Sequence, residues 1–155
     1  MQRVKINHTA VWIATAAFSI VGVASVKAEV LDAVYRGTLI CDKLPFAEAK
    51  MREAIEVTIA GEAARYTHVV RLRADGVEAN PEQGTGTVGG DTISLQGTWK
   101  NDKREYTASY RGNFVRRSAK LSGTQNWNDN GQSFARACSG VIKRPLKIFL
   151  PRKKT

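Results

Sequence analysis

Between residues 92 and 142 apolar and polar side chains alternate with a period of two, and that rhythm restricts the fold more than any other feature. Ile93, Leu95, Gly97 and Trp99 alternate with Thr92, Ser94, Gln96 and Thr98. Tyr106, Ala108 and Tyr110 alternate with Glu105, Thr107, Ser109 and Arg111. Ala119, Leu121, Gly123, Gln125 and Trp127 alternate with Ser118, Lys120, Ser122, Thr124 and Asn126. Such spacing sends one set of side chains to one face, so each run predicts a half-buried strand. Turn-forming residues separate the runs at 100–103, 116–118 and 128–131, the last leading into a strand over 134–142. Upstream, residues 30–40, 55–60, 63–72 and 84–88 read as further strands, for a total of about eight in up-and-down order. Residues 45–54, with Glu48 and Arg52 at i,i+4, are the one helical candidate, a short helix or a loop after the first strand. Residues 75–83 form the longest polar connection. No βαβ spacing occurs, which excludes a doubly wound α/β enzyme.

A small unit recurs within these strands. Tyr35, Leu95, Tyr110 and Leu121 are each followed two residues later by a glycine (Gly37, Gly97, Gly112, Gly123) and then by Thr or Asn. Glycine weakens a flat strand but lets one bend, and bending is what a narrow barrel requires. The unit is strand grammar rather than an internal repeat. It predicts an all-β fold, a small antiparallel up-and-down β-barrel, closed or nearly so, which also removes exposed strand edges.

The first residues carry a different signal. Arg3 and Lys5 precede an uncharged apolar run over residues 10–26, and Val26-Lys27-Ala28 offers small or apolar side chains where a signal peptidase reads. The expected division is a signal peptide over 1–28, a barrel domain over 29–142 and a basic tail over 143–155. The alternative is an uncleaved anchor, for which 17 residues is short of the roughly 20 that span a bilayer. Cleavage leaves no transmembrane span and places the protein in a bacterial periplasm or outside the cell. There Cys41 and Cys138 are expected to pair, closing almost the whole domain.

Charge is unevenly divided. Residues 29–142 hold 15 Lys and Arg against 14 Asp and Glu, while 143–155 hold six basic residues and no acid. A nucleic-acid domain needs a basic stripe on its folded surface. This body is nearly neutral, so nucleic acid is not an expected partner. The tail mixes Lys143, Arg144, Lys147, Arg152, Lys153 and Lys154 with Leu146, Ile148, Phe149 and Leu150. That mixture suits an anionic lipid or polysaccharide surface, or else keeps a solvated tail soluble.

From Tyr35 to Cys41, through Lys43 to Phe46, and on to Thr107–Tyr110 and Leu121–Gln125, the chain resembles small exported proteins of proteobacteria that have no assigned activity. Leu95–Asp102 and Gly123–Asn126 also resemble avidin-like barrels, which bind biotin. That second resemblance implies a barrel, and no register carries a full biotin-contact set onto these residues.

A catalytic constellation is not found. His68 is the one histidine after the leader and reads as a packed or surface residue within a strand. No HExxH, paired CxxC or DxDxDG spacing exists, so neither a metal nor a cofactor is expected. No serine lies in a Gly-x-Ser-x-Gly elbow. Glu53 and Glu56 read as a pair on a polar face near a loop. The aromatics are more informative. Trp99 and Trp127 each end a strand before a polar turn, and Tyr106 and Tyr110 lie on the strand after Trp99. They either plug the core or line a binding mouth with Arg136. Arg136 shares a face with Phe134 and Cys138; the other register, with Ala135, Ala137, Ser139 and Val141 inside, avoids burying a guanidinium and is chemically easier. The expected function is therefore an exported, non-enzymatic binding module of the cell envelope. An inhibitor of an exported or host hydrolase, acting on a protein partner, and an unrecognised enzyme are the alternatives.

Overall fold

The computed structural model describes residues 32–47, 50–73 and 76–146. The expected leader and Lys147, Arg152, Lys153 and Lys154 of the tail lie outside the described residues. Eight strands follow one another: β1 (Ala33–Cys41), β2 (Met51–Ala60), β3 (Ala63–His68), β4 (Glu82–Gly89), β5 (Thr92–Lys100), β6 (Arg104–Val115), β7 (Ser118–Asp129) and β8 (Gln132–Lys143). Each pairs antiparallel with the next, and β1 pairs with β8, so the sheet closes into a barrel in up-and-down order as the alternation predicts.

Burial follows the period of two. On β2 the inward series is Met51, Glu53, Ile55, Val57 and Ile59, with Arg52, Ala54, Thr58 and Ala60 outward. Facing inner positions pair large with small across several strand pairs: Tyr66 opposite Gly84, Tyr110 opposite Gly123, Leu121 opposite Gly140, Ile142 opposite Gly37. A narrow barrel needs that taper to fill its interior. Gly84 and Gly97, paired with each other, show the reason most directly. A Cβ on Gly84 would stand 2.2 Å from the Tyr66 ring, and one on Gly97 would stand 2.2 Å from its hydroxyl.

Three expectations need correction. Residues 45–54 hold no helix among the described residues: 45–47 form a turn and Met51 opens β2, pairing with Cys41. The edge of β1 needs a hydrogen-bonding partner, and the alternation that buries Met51 and Glu53 supplies one. On β8 the guanidinium register holds, with Arg136 buried and Ala135, Ala137, Ser139 and Val141 outside. Cys138 decides this, because its disulfide to Cys41 closes the β1–β8 seam across directly opposed residues, and Arg136 must share its face. Glu82 and Gln83 belong to β4 rather than to the polar connection.

The two ends of the barrel differ. Tyr35, Ile59, Val88, Ile93, Phe114 and Ile142 fill one end, with the Tyr35 and Phe114 rings 5.4 Å apart. The other end collects every buried charged side chain among the described residues.

Candidate functional site

The strand termini at that second end each contribute an inward side chain. Glu53 comes from the start of β2, His68 from the end of β3 and Glu82 from the start of β4. Tyr106 and Tyr110 come from β6, Gln125 and Trp127 from β7, and Arg136 from β8. Among these side chains three contacts join direct cross-strand partners, His68 with Glu82, Gln125 with Arg136 and Tyr106 with Trp127.

Followed atom by atom, six of these side chains close a ring. Glu82 Oε2 accepts from Tyr110 Oη at 3.1 Å, and that phenol oxygen accepts from Gln125 Nε2 at 2.8 Å. Gln125 Oε1 accepts from Arg136 Nε at 2.6 Å, and Arg136 Nη2 donates to Glu53 Oε2 at 3.4 Å. Glu53 Oε2 lies 3.1 Å from His68 Nε2, an ion-pair contact off the N–H direction rather than an aligned hydrogen bond. His68 Nδ1 then meets Glu82 Oε2 at 2.7 Å. With both carboxylates ionised and His68 protonated, two negative and two positive groups cancel. Buried charges are tolerated only when paired in this way.

Two further phenols complete the carboxylate shell. Tyr66 donates to Glu82 Oε1, and Tyr106 donates to Oε2 at 2.7 Å. Burial by itself would push the Glu82 carboxyl up, but the hydrogen bond and charge of His68, then the phenols, hold it below the usual range. Burial would likewise lower His68, and its contacts with Glu53 and Glu82 outweigh that and raise it. Desolvation and the Glu82 charge raise Tyr66, Tyr106 and Tyr110, so all three remain phenols.

The aromatic residues form the next layer. The Trp99, Tyr106 and Trp127 rings touch one another, with centroids 4.3 to 5.6 Å apart, and the Arg136 guanidinium lies 5.2 Å from the Trp127 ring. Trp127 Nε1 donates to Gln125 Oε1. Two connecting segments cover this end. From the β1–β2 connection Leu44 and Ala47 are buried, and Phe46 packs on Trp127 and Phe134 beneath Arg104. The β3–β4 connection buries Val70 and Leu72. It is tied to the site by Arg71 N donating to Glu53 Oε1 and by Trp99 Nε1 donating to the Asn80 carbonyl.

One donor stands outside the ring: Arg136 Nη1 is buried and has no acceptor among the described residues. His68 holds the two carboxylates on opposite ring nitrogens, so they do not converge on one point as metal ligands do. A surface hollow of about 720 Å³ runs along the outside of β5–β8 and is lined by none of the six ring residues.

Trp99, Trp127, Tyr106, Tyr110 and Arg136, the candidates from the alternation, are thus brought together at one end. Lys143 and Arg144 stand at the opposite end, beside the β6–β7 turn. Gln125, on the inward face of the alternation but not among the candidates, joins Tyr110 and Arg136 in the ring, and none of Glu53, His68 and Glu82 is expected from the sequence reading as a member of the site. Parity identifies them: each falls on the inward series of its strand, with Ile55, Tyr66 and Gly84 respectively.

The molecule is a disulfide-closed, eight-stranded antiparallel barrel with a solvent-excluded ring of charge at one end. No family model matches the chain, and no curated protein matches it. Among solved structures it is similar to apo shwanavidin in the P21 form, at 16% identity over 77% of this chain and 99% of that one, with a TM-score of 0.44. Rhizavidin is similar at 12% identity, covering 79% of this chain and 90% of its own, with a TM-score of 0.49. The rhizavidin–biotin complex gives 10% identity, 77% and 98% coverage, and a TM-score of 0.49.

Proposed function

We propose that this chain is a non-catalytic binding module of the bacterial cell envelope, exported to the periplasm or beyond, whose charged end holds a small polar molecule. The observation that supports this most is the buried ring with one arginine donor left over. Taking four charged groups out of water is costly, and apolar packing of the same volume is commonly as stable or more so. Perturbed, buried titratable groups gathered at one end are a mark of a functional site. Arg136 Nη1 calls for an acceptor, a carboxylate or carbonyl oxygen, and the Trp127 and Phe46 rings offer an apolar wall beside it. Entry requires the two covering segments to part.

Binding is favoured over turnover by how fully the acid–base groups of the ring are committed to one another. The ring holds no serine, lysine or free thiol, its phenols stay protonated, and both cysteines are in the disulfide. A buried disulfide also suits an exported protein. The basic tail, Lys143 to Lys154, supplies the envelope contact with anionic lipid or polysaccharide.

A melting-temperature screen tests the ligand reading. Small carboxylates, amides, ureas and biotin, which carries both a carboxylate and a ureido carbonyl, are compared with alkylamines. A ligand at a hundredfold its Kd stabilises by about 2.7 kcal/mol. Acceptor-bearing compounds should raise the midpoint, amines should not, and Arg136→Lys should abolish the effect by losing the second terminal nitrogen. A shift that survives Arg136→Lys, or one produced by the amines, would move the site elsewhere.

A further inference from the structure

The end of the barrel opposite the ring carries a surface that the ligand reading does not use. In the β6–β7 turn Arg116 adopts φ 57°, whereas every other described residue with positive φ is Gly or Asn: Gly61, Gly90, Asn130 and Gly131. A two-residue hairpin turn calls for left-handed backbone, usually met by Gly or Asn, so this turn places an arginine where its side chain is costly. Arg117 follows it. The Arg117 carbonyl accepts from Arg144 N at 2.9 Å and its Nη2 donates to the Pro145 carbonyl at 2.8 Å, which draws the chain after β8 against the turn. Arg117 and Arg144 share a hollow of about 560 Å³ with Arg36 and Leu146. Neither Arg116, Lys143 nor Arg144 has an ion-pair partner among the described residues. No Asp or Glu occurs over residues 106–128 or 130–155, and Asp32, the acid that lines the hollow, accepts from Gly61 N.

Apolar side chains stand among these charges. Val115 is 66% exposed and Leu146 72% exposed, the two most exposed large hydrophobics of the described residues. A soluble polyanion would pair with the arginines and leave both side chains in water. An anionic bilayer accepts the two chemistries together, apolar tips at the headgroup boundary and basic groups on lipid phosphates.

We propose that this end of the folded barrel docks on an anionic phospholipid bilayer, with Val115 and Leu146 entering the interface and Arg116, Arg117, Lys143 and Arg144 on the phosphates. Asp32 and Leu146, where the described chain begins and ends, both lie here. Beyond Leu146 the sequence repeats the mixture, with Ile148, Phe149 and Leu150 among Lys147, Arg152, Lys153 and Lys154. Docked this way, the barrel turns its charged ring away from the lipid. The proposal builds on the envelope reading and is independent of the ligand.

Co-sedimentation with phosphatidylglycerol-containing vesicles, with pure phosphatidylcholine vesicles, and retention on dextran sulfate test it on the exported protein. Each basic residue removed should weaken anionic-vesicle binding about fivefold. The triple variant Arg116→Gly, Arg117→Ser, Arg144→Ser should therefore lose about a hundredfold with the tail intact. Arg116→Gly alone relieves the backbone strain, so it keeps the fold and should still show its fivefold loss. Leu146→Ser should weaken vesicle binding without changing retention on dextran sulfate. Deleting 147–155 should leave salt-sensitive binding to the anionic vesicles. If the triple variant binds as wild type and only the deletion loses binding, the tail alone makes the contact and this surface is overturned. Wild-type protein that ignores anionic vesicles overturns the surface and the envelope reading together. Preference for dextran sulfate with Leu146→Ser silent replaces the bilayer by a polyanion.

Discussion

His68 stands between Glu53 and Glu82, and its proton decides whether the ring is neutral or negative. Its folded-state value is raised, so its contribution to stability is complete below the unfolded value of 6.5 and fades as pH rises through the folded value. Glu82 is held low, so its contribution is complete above its unfolded value of 4.5 and fades as pH falls through the folded value. The melting midpoint should therefore be highest between about pH 4.5 and 6.5 and decline on both sides. In His68→Gln the alkaline decline should flatten. A wild-type midpoint that rises steadily from pH 6 to 9 would mean that His68 is buried neutral.

Strand pairing explains why the ring forms, and it carries its own prediction. Tyr66 reaches Glu82 by lying across Gly84 and Gly97, so Gly97→Ala places a Cβ against the phenol oxygen and 2.7 Å from the Gln83 carbonyl. Overpacking of this kind costs about 1–3 kcal/mol. Denaturant unfolding of Gly97→Ala should show that loss, whereas alanine at Gly89, which meets only the Thr92 hydroxyl at 3.8 Å, should cost far less. The elements themselves were largely legible, because period-two alternation is written directly in β5 to β8. At β2 the helical spacing of Glu48 and Arg52 competes with the alternation of Met51, Glu53 and Ile55, and the alternation decides, which also carries Glu53 inward. On β8 a local rule, that arginine avoids cores, competed with a long-range one, that both cysteines of a seam disulfide face inward. The closed ring lay beyond sequence reasoning because each of its members looks costly alone. Only the closure of the barrel brings β2, β3 and β8 within reach of one another and makes the charges cancel.

At the scale of the whole molecule, the β1–β8 seam joins the two ends of the domain, and the Cys41–Cys138 bridge spans a sequence separation of 97. A loop of that length corresponds to about 4.7 kcal/mol in the chain-entropy account. Removing both cysteines by alanine should lower stability by about 2–5 kcal/mol while keeping the barrel, since the β1–β8 backbone pairing from Arg36 to Cys41 does not depend on sulfur. The same architecture gives the molecule a polarity: an end with an apolar interior, where the described residues begin and finish, and a charged, covered end. In the binding reading, the covered end is a site that opens, rather than a core that happens to be polar. Native-state hydrogen exchange measures this without knowledge of the ligand, at the amides of Asp42, Ala47, Val69 and Glu78, which hold the two covering segments in place. These amides should exchange through local, denaturant-insensitive openings several kcal/mol cheaper than those of the β5, β6 and β7 strands. Exchange of all four only with global unfolding of the barrel would rule out an opening site and make the charged ring a structural core.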